Sequence, residues 1–249
     1  MRFIVIDFLC IGAQKSGTTL LYEHLKSSSD VYLPRQKELH FFDNEKNYIQ
    51  GSQWYKSFFI DAQDGQIKGE ITPAYLFFEC VPARIKKTII NHGDLKFVVL
   101  LRNPVYRAYS QYNMSLSIQK REHLSFEQAL LYEKYRLDGY RNQVDYSYLS
   151  RGFYSGQIIN YFKYFKRSQF KFVLYEDFVS NQDKVVNEIL GFLGVKKSCS
   201  FISKTIFSNE YAPMSPDTEE ILFKIYKEEF NTLENILEID LSAWGRQGG

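Results

Sequence analysis

Cysteine is scarce in this sequence, which excludes several kinds of site at the outset. The three cysteines, Cys10, Cys80 and Cys199, are widely spaced and form no C-x-x-C pair. That pattern argues against a disulfide framework and against a zinc site, both of which need grouped thiols. We therefore expect buried free thiols in a reducing cytosol, and hence a cytoplasmic protein.

An excess of charge of one sign is also missing, as are long apolar runs. Lysine plus arginine number 31 against 29 for aspartate plus glutamate, a net charge of +2, which disfavours a general nucleic-acid binder. No segment approaches the roughly 20 apolar residues of a membrane-spanning helix. The apolar start "MRFIVIDFLCIGA" contains Asp7 and a single basic residue, which favours a buried first strand over a signal peptide.

The residues that are present favour one α/β domain over residues 1–249. Hydrophobic residues make up 45% of the chain, enough for a sizeable core. Strand and helix patterns alternate, which is typical of a P-loop-like fold whose central, mainly parallel β-sheet is flanked by helices on both faces. The predicted strands are Phe3 to Ile11, "SDVYLP", "IKGEITPAY", "LKFVVLLRNP" and "QFKFVLYEDF".

Apolar residues at helical spacing predict the helices between these strands. Pro104 suits the first turn of one helix, and Ser215 suits the N-cap of the last. Residues 37–43, "KELHFFD", follow neither period and are predicted to form a loop. The helices are predicted over residues 18–26, "GSQWYKSFF", "PARIKKTIINHG", from residue 104 onward, and over 125–137, 154–166, 184–193 and 216–237.

The stretch "IGAQKSGTTLLYEHL" looks like a phosphate loop with a displaced lysine. Gly12 and Gly17 have the separation of the G-x-x-x-x-G-K-[ST] pattern, but the lysine lies inside the loop at Lys15. A strand that turns through glycines into a helix points backbone N–H groups and the positive end of the helix dipole at one place. Thr18 and Thr19 add hydroxyl donors, so the stretch predicts an anion site.

The sequence lacks the metal ligand that accompanies a phosphate loop in nucleoside triphosphatases. The clearest buried strand ends in "LLRNP", with Arg102 where a Walker-B strand would end in aspartate. Protein cations alone would then neutralise the anion, which suits a transferred group of lower charge than a phosphoryl group. We expect no metal at this site.

Seven segments of the chain resemble one enzyme family. "QKSGTT" and "VVLLRNPVYRAYSQY" resemble the 5′-phosphosulfate loop and the 3′-phosphate strand–turn–helix of sulfotransferases that use 3′-phosphoadenosine 5′-phosphosulfate (PAPS). Five further segments are similar to segments found in the same order in the carbohydrate-type and bacterial branch of the family, which includes proteins similar to the heparan sulfate sulfotransferase domains. These segments are "KELHFFD", "GEITPAYL", "YLSRGFYSGQIINYF", "FVLYEDF" and "IDLSAW". The resemblance spans nearly the whole chain.

The resemblance implies which residues bind the 5′ end of the donor. Lys15 would contact the sulfuryl group and the bridging oxygen of the leaving phosphate, where an ammonium group stabilises the charge that develops. Gly17, Thr18 and Thr19 would hold the 5′-phosphate. Ser16 lies beside them in the turn.

The resemblance also implies that Arg102 and Ser110 bind the 3′-phosphate of the donor. A guanidinium group suits bidentate recognition of phosphate. The eight residues from Arg102 to Ser110 span just over two helical turns, so the turn at Asn103 must direct both side chains to one pocket. Arg107 is the alternative phosphate ligand.

The same resemblance places the general base in "KELHFFD". Glu38 is our preferred base, because a carboxylate in a desolvated cleft can take the proton of an acceptor hydroxyl as the new bond forms. His40 is the alternative, since imidazole needs less tuning to accept a proton near neutral pH. The sequence leaves both candidates open.

Three features depart from the family pattern. Many relatives have a lysine after the glutamate of the "GE" segment, where this chain has Ile71, so Glu70 is open to a purely structural role. Glycan-modifying relatives close the donor site with a basic loop, but the stretch "KTIFSNEYAPMSP" has only Lys204 as a basic residue. They also bracket that loop with cysteines, and Cys199 alone cannot form such a bridge. The sequence therefore does not predict which residues close the donor site.

The acceptor site is the least determined part of the sequence. Residues 132–154 hold six tyrosines together with Arg136, Arg141 and Arg151. Such side chains line sugar and cation sites, and they serve core packing equally well. Arg151 and Tyr154 are our candidate acceptor-binding residues. Because no long basic groove is visible, a small molecule or short oligosaccharide is favoured over a long anionic glycan.

These observations predict an enzyme that moves a sulfuryl group in line from PAPS to a hydroxyl or amine, without a metal, and releases adenosine 3′,5′-bisphosphate. Two alternatives stay open: a P-loop kinase with an altered phosphate loop, and a non-catalytic module that retains the nucleotide cleft. Neither the identity of the acceptor nor the oligomeric state is predicted.

Overall fold

The computed structural model describes residues 5–195 and 211–245. These residues group into two compact units. The first unit is drawn from Met1–Leu101 and Ile159–Phe207, and the second from Arg102–Ile158 and Ser208–Gly249. The expected single domain over residues 1–249 stays a prediction.

The first unit is built on a five-stranded sheet with the order β2-β3-β1-β4-β5, in which every pairing is parallel. In its centre, Leu9 of β1 lies opposite Glu70 of β3 on one side and Phe97 of β4 on the other. The predicted parallel sheet is therefore confirmed. The strands are β1 (Phe8–Gly12), β2 (Val31–Tyr32), β3 (Ile67–Ile71), β4 (Lys96–Leu101) and β5 (Phe170–Leu174).

Side chains of β4 alternate between two apolar layers. Val98 and Leu100 join the core cluster formed with the first and tenth helices of the chain. Phe97 points to the opposite face, where its ring lies 5.7 Å from that of Tyr161 and 4.7 Å from that of Phe165. Helical residues therefore cover both faces of the sheet, as a strand that is apolar on both sides requires.

The helices of the first unit largely follow the sequence pattern. The one over Thr18–Lys26 was predicted with the observed bounds. The predicted strand "QFKFVLYEDF" instead ends at Leu174 and continues as a helix, because Glu176 and Asp177 suit a helical first turn. These helices are α1 (Thr18–Lys26), α2 (Glu45–Tyr48), α3 (Gly51–Ser57), α4 (Val81–Thr88), α9 (Tyr175–Ser180) and α10 (Gln182–Leu193).

The second unit is helical. Its core is formed by side chains of three helices, including Val105, Phe126 and Tyr226. A π-helical turn over Met114–Ile118, which the sequence does not predict, follows α5. Its helices are α5 (Pro104–Asn113), α6 (Phe126–Arg136), α7 (Gly139–Tyr146) and α11 (Pro216–Leu237), with 3₁₀ turns over Ser150–Gly152 and Ser242–Trp244. The helix α8 (Tyr154–Phe162) has residues in both units, and the 3₁₀ turns over Pro73–Leu76 and Arg167–Gln169 belong to the first.

Some expectations need correction. Cys10 is buried in β1, but Cys80 is exposed, so the prediction of buried thiols is wrong for Cys80; Cys199 lies outside the described residues. Ser215 stands at the N-cap of α11, yet its side chain makes no capping hydrogen bond there. The helix α7 was not predicted. In the described part of the chain, no helix combines the length and the apolar character needed to cross a membrane.

Candidate active site

The phosphate loop joins β1 to α1 and needs glycine at two positions. Gly17 adopts a left-handed φ of 88°, and a Cβ atom there would lie 3.1 Å from the ring of Tyr175. A Cβ atom on Gly12 would lie 2.7 Å from the Cβ of Leu76. Lys15 also has a left-handed φ, 68°, although it is not glycine. The loop is therefore a close turn held between β1, α1 and their neighbours.

The start of α1 is arranged to receive an anion. Within the described residues no side chain caps the helix, so its first N–H groups lack a side-chain acceptor. Ser16 is fully buried, and its hydroxyl has no hydrogen-bond partner in that same part of the chain. Thr18 is buried and Thr19 is exposed beside it. A bound phosphate would satisfy both the N–H groups and the buried hydroxyl, so these residues fit the 5′ end of the donor.

The loop that carries the candidate bases is held in a strained conformation. Glu38 and His40 both have left-handed φ values, 62° and 51°. The N–H of Glu38 donates to the carbonyl of Ile71 at 3.2 Å. The side-chain amide of Asn47 donates to the carbonyls of Leu39 and His40 at 3.1 and 3.0 Å. These bonds fix the backbone on both sides of the two side chains.

The buried carboxylate of Glu70 supports the same loop through hydrogen bonds. Glu70 accepts hydrogen bonds from Thr72 at 2.6 Å and Tyr75 at 2.7 Å, and also from Tyr55. The hydroxyl of Tyr75 in turn accepts the N–H of Phe41 at 2.9 Å. Burial raises the pKa of Glu70, and the three hydroxyl donors oppose that rise. Glu70 therefore supports the loop, in agreement with a structural role.

Glu38 and His40 lie in a chain of charged groups. Lys37 pairs with one oxygen of Glu38, and His40 Nε2 lies 3.6 Å from the other. His40 Nδ1 lies 2.8 Å from Oδ2 of the buried Asp43. Burial alone would raise the pKa of Glu38, but the neighbouring His40 and Lys37 lower it to about 2. Burial alone would lower the pKa of His40, but its hydrogen bond to Asp43 and the nearby carboxylate of Glu38 raise it to about 9.

This arrangement bears on the choice between the two bases. At neutral pH the carboxylate of Glu38 is ionised, whereas His40 already carries its proton. A general base must be unprotonated before it acts. Glu38 is therefore the unprotonated candidate of the two and stays the predicted base, with His40 as the group that orients it, although so low a pKa also weakens Glu38 as a proton acceptor.

The raised pKa of His40 makes stability depend on pH. Because the folded-state pKa of about 9 exceeds the ordinary value of 6.5, its contribution is complete below pH 6.5 and is lost as the pH rises through about 9. Relative to a His40→Gln variant, we expect the wild-type free energy of unfolding to fall by on the order of 1 to 2 kcal/mol over that interval. Urea unfolding across the interval measures it, and identical pH dependence of the two proteins would contradict the assignment.

In the second unit, Arg102 borders a cavity of about 250 Å³. The turn after Arg102 is fixed at two points. Asn103 Oδ1 accepts the N–H of Val105 at 3.0 Å, and its Nδ2 donates to the carbonyl of Trp244 at 2.9 Å. The hydroxyl of Tyr154 donates to the carbonyl of Arg102 at 2.9 Å. The remaining residues around the cavity are Tyr106, Tyr109, Tyr211, Pro213, Met214 and Glu219.

The two arginines of this region have different surroundings. Arg102 lies at the cavity, and Ser110 lies on α5, the helix that follows it. Arg107 is fully buried, and its guanidinium donates to Gln111 at 2.8 Å and to the carbonyl of Tyr148. Direct contact between Arg107 and a phosphate is therefore disfavoured, and Arg102 stays the predicted ligand.

The two candidate acceptor residues are both buried. Arg151 donates through Nε to the hydroxyl of Ser147 at 3.0 Å. Tyr154 donates to the carbonyl of Arg102, so its hydroxyl supports the turn beside the cavity. These contacts account for both side chains as packing residues of the second unit. Acceptor binding by this pair stays a prediction, and Lys204 of the predicted closing loop lies outside the described residues.

Sequence analysis does not identify Asp43, Asn47 or Tyr75 as part of this site. Asp43 follows His40 by three residues, and that spacing is a usable signal in so short a loop. Asn47 lies 7 residues from His40, and Tyr75 lies 34 residues from Phe41, so no local sequence pattern indicates these contacts. Over residues 5–195 and 211–245, no group of three or more histidine, cysteine, aspartate or glutamate side chains is placed to hold a metal ion.

Comparison with known proteins identifies the family of this chain. The family described as the sulfotransferase domain matches residues 6–231. Heparan sulfate glucosamine 3-O-sulfotransferase 6 of Mus musculus is 36% identical over 194 residues, which cover 76% of this chain and 52% of that protein. The chain thus spans about half the length of the curated relatives it matches.

Solved structures show the same relationship. A sulfotransferase from Alicyclobacillus acidocaldarius superimposes with a TM-score of 0.81 at 30% identity, covering 97% of this chain and 99% of that one. A mouse sulfotransferase complexed with PAP shares the fold, with a TM-score of 0.51 at 15% identity over 92% of this chain and 66% of that one. The phosphate loop, the parallel sheet and these matches together show that the chain belongs to the sulfotransferase domain family.

Proposed function

We propose that this chain is a sulfotransferase that moves a sulfuryl group from PAPS to a hydroxyl or amine of a saccharide or small molecule. The observation that carries the proposal is the phosphate loop, where Lys15 lies in the turn before an uncapped α1 and the buried Ser16 hydroxyl lacks a partner within the described residues. Membership of the sulfotransferase family supports it.

Different residues of the phosphate loop would contact different groups at the 5′ end of the donor. PAPS supplies an activated sulfuryl group attached to a phosphate that can leave. The N–H groups at the start of α1, with Ser16, Thr18 and Thr19, would hold that phosphate in place. Lys15 would neutralise the charge that develops on the phosphate oxygens as the sulfuryl group departs.

The second part of the reaction is removal of a proton from the acceptor. Glu38 takes this proton from the acceptor hydroxyl as the oxygen attacks sulfur, and the leaving phosphate keeps the electron pair of the broken S–O bond. Lys37 and His40 hold the carboxylate ionised and oriented, and Asp43 holds the imidazole. The low pKa of Glu38 keeps it unprotonated at every physiological pH.

Recognition of the 3′-phosphate separates PAPS from ATP and other nucleotides. Arg102 would pair with this phosphate from the edge of its cavity, and Ser110 would add a hydroxyl donor. The tether from Tyr154 to the carbonyl of Arg102 supports this role, because it limits how far the backbone of the arginine can move.

A saccharide acceptor is favoured over other classes. The curated relatives are named for transfer to glucosamine in heparan sulfate, which supports a sugar hydroxyl or amine here. The exposed rings of Tyr132 and Tyr135 in the second unit supply the aromatic surface typical of sugar contacts. A cytoplasmic location and the absence of nucleic-acid partners complete the proposal, on the grounds of composition given above.

Calorimetric titration with adenosine 3′,5′-bisphosphate, ATP, and ATP with Mg²⁺ tests the donor assignment. We expect the bisphosphate to bind at least tenfold more tightly than ATP, with no gain from Mg²⁺. Preference for ATP with Mg²⁺ would favour the kinase alternative instead. Loss of PAPS over a panel of saccharide and small-molecule acceptors then separates an enzyme from a binding module, which would bind the bisphosphate without turnover.

A further inference from the structure

The segment "IDLSAW" has no role in the proposed function, although it is one of the family-like segments of the chain. It ends in the 3₁₀ turn Ser242–Trp244, and the indole ring of Trp244 is buried. The N–H of Leu241 donates to Oε1 of Glu234 on α11 at 2.8 Å. The ring of Phe230, also on α11, lies 6.0 Å from that of Trp244. A hydrogen bond and aromatic packing therefore hold this segment against α11.

Trp244 contacts both side chains that fix the backbone at Arg102. Its carbonyl accepts a hydrogen bond from Nδ2 of Asn103 at 2.9 Å. Its ring lies 6.4 Å from that of Tyr154, whose hydroxyl donates to the carbonyl of Arg102 at 2.9 Å. Asn103 and Tyr154 are both buried, so loss of either hydrogen bond would leave a buried polar group unsatisfied. One residue thus reaches the turn at Arg102 by two routes.

The amide of Asn103 also connects Trp244 to the start of α5. Its Oδ1 accepts the N–H of Val105 at 3.0 Å, which caps the helix, while its Nδ2 makes the bond to Trp244. Close packing limits movement of the next residue, because a Cβ atom on Gly152 would lie 2.8 Å from the Cβ of Pro104. Trp244 therefore helps to set both the backbone of Arg102 and the position of α5.

Resting on the proposed function, in which Arg102 and Ser110 bind the 3′-phosphate, we infer that Trp244 is a positioning residue for that phosphate. It acts through Asn103 and Tyr154. A fixed turn leaves the Arg102 guanidinium less conformational freedom to lose when it binds phosphate, so the binding costs less entropy. Trp244 thereby increases the selection of nucleotides that carry a 3′-phosphate over those that lack one.

The test compares two nucleotides that differ only in the 3′-phosphate. Calorimetry on the full chain measures the Kd for adenosine 3′,5′-bisphosphate and for adenosine 5′-phosphate, and their ratio isolates the effect of the 3′-phosphate. We expect Trp244→Leu to lower this preference about tenfold, because both routes to the turn are loosened. Trp244→Phe keeps an aromatic ring beside Tyr154 and should retain most of the preference.

Tyr148→Leu is the control for general loosening of the second unit. Tyr148 is as deeply buried as Trp244, and its hydroxyl donates to Glu122 at 2.8 Å, so its loss disturbs the same core at another place. The preference of this variant should stay close to that of the wild type. A folded Trp244→Leu variant with the wild-type ratio, or an equal loss in Tyr148→Leu, would overturn the inference.

A pair of asparagine variants decides the question even where Trp244→Leu does not fold. Asn103→Ser keeps an N-cap oxygen for α5 but loses the bond to the carbonyl of Trp244, so the preference should fall about threefold. Asn113→Ser removes a comparable bond at the other end of α5, where Nδ2 donates to the carbonyl of Tyr109 at 2.8 Å, and should leave the ratio unchanged. The reverse ranking would contradict a route through Asn103.

The same measurements separate this inference from the proposed function. Failure of the wild-type protein to bind the bisphosphate in preference to adenosine 5′-phosphate contradicts the assignment of the 3′-phosphate site itself. A clear wild-type preference that Trp244→Leu and Asn103→Ser both retain contradicts only the role of Trp244.

Discussion

Replacing Lys15 by alanine is expected to lower turnover by about 10²–10³-fold while the affinity for adenosine 3′,5′-bisphosphate falls less than tenfold. The asymmetry follows from the place of the lysine in the turn before α1. In the proposed reaction the ammonium group contacts both the sulfuryl group and the bridging oxygen, and this pair of contacts exists only until the S–O bond is broken. The product nucleotide has lost the sulfuryl group and would still be held by the N–H groups of α1 and by the residues proposed for its 3′-phosphate.

Steady-state turnover with PAPS and calorimetry with the bisphosphate measure the two effects side by side. Lys26→Ala is the matched control, because Lys26 is an exposed lysine at the other end of α1 and should leave both quantities unchanged. Equal losses of turnover and affinity in Lys15→Ala would reduce Lys15 to a binding residue.

Replacing Glu38 by glutamine is expected to lower turnover by about 10³-fold, whereas His40→Gln should retain a measurable rate. Glutamine keeps the shape of the side chain but cannot accept the acceptor proton. His40 is protonated at neutral pH between Glu38 and Asp43, so its loss disturbs the orientation of the base without removing it.

Donor consumption with a working acceptor gives both rates, and bisphosphate binding confirms that each variant is folded. Glu79→Gln serves as the control, since the side chain of Glu79 is exposed. A lower rate for His40→Gln than for Glu38→Gln would transfer the role of base to the histidine.

The elements around the phosphate loop were predictable because short-range rules determine them. Glycine at position 17 and the apolar spacing after it set the bounds of α1, and the apolar run before Pro104 set those of β4. The prediction that β5 continues through residues 175–178 was wrong. Acidic residues that favour a helix follow the buried strand there, and no turn signal separates them from it. The π-helical turn at Met114–Ile118 has no local sequence signature at all.

The sequence indicates candidate residues for the site but not the residues that support them. Lys15, Glu38 and Arg102 stand in recognisable segments, and their roles stay predictions. Their supports come from contacts distant in sequence, such as Asn103 with Trp244, 141 residues away. Arg102 and Arg107 differ in burial. The sequence of the strand–turn–helix segment that holds both arginines does not show which of them is buried.

The left-handed backbone at Glu38 and His40 has a consequence for protein engineering. Glycine adopts such φ values without steric penalty, so Glu38→Gly should relax the loop at little cost, because the ion pairs of this half-exposed side chain contribute little to stability. A laboratory selection for heat resistance alone would thus enrich variants that have lost the proposed proton acceptor. Screens on this scaffold need an assay for sulfuryl transfer in every round.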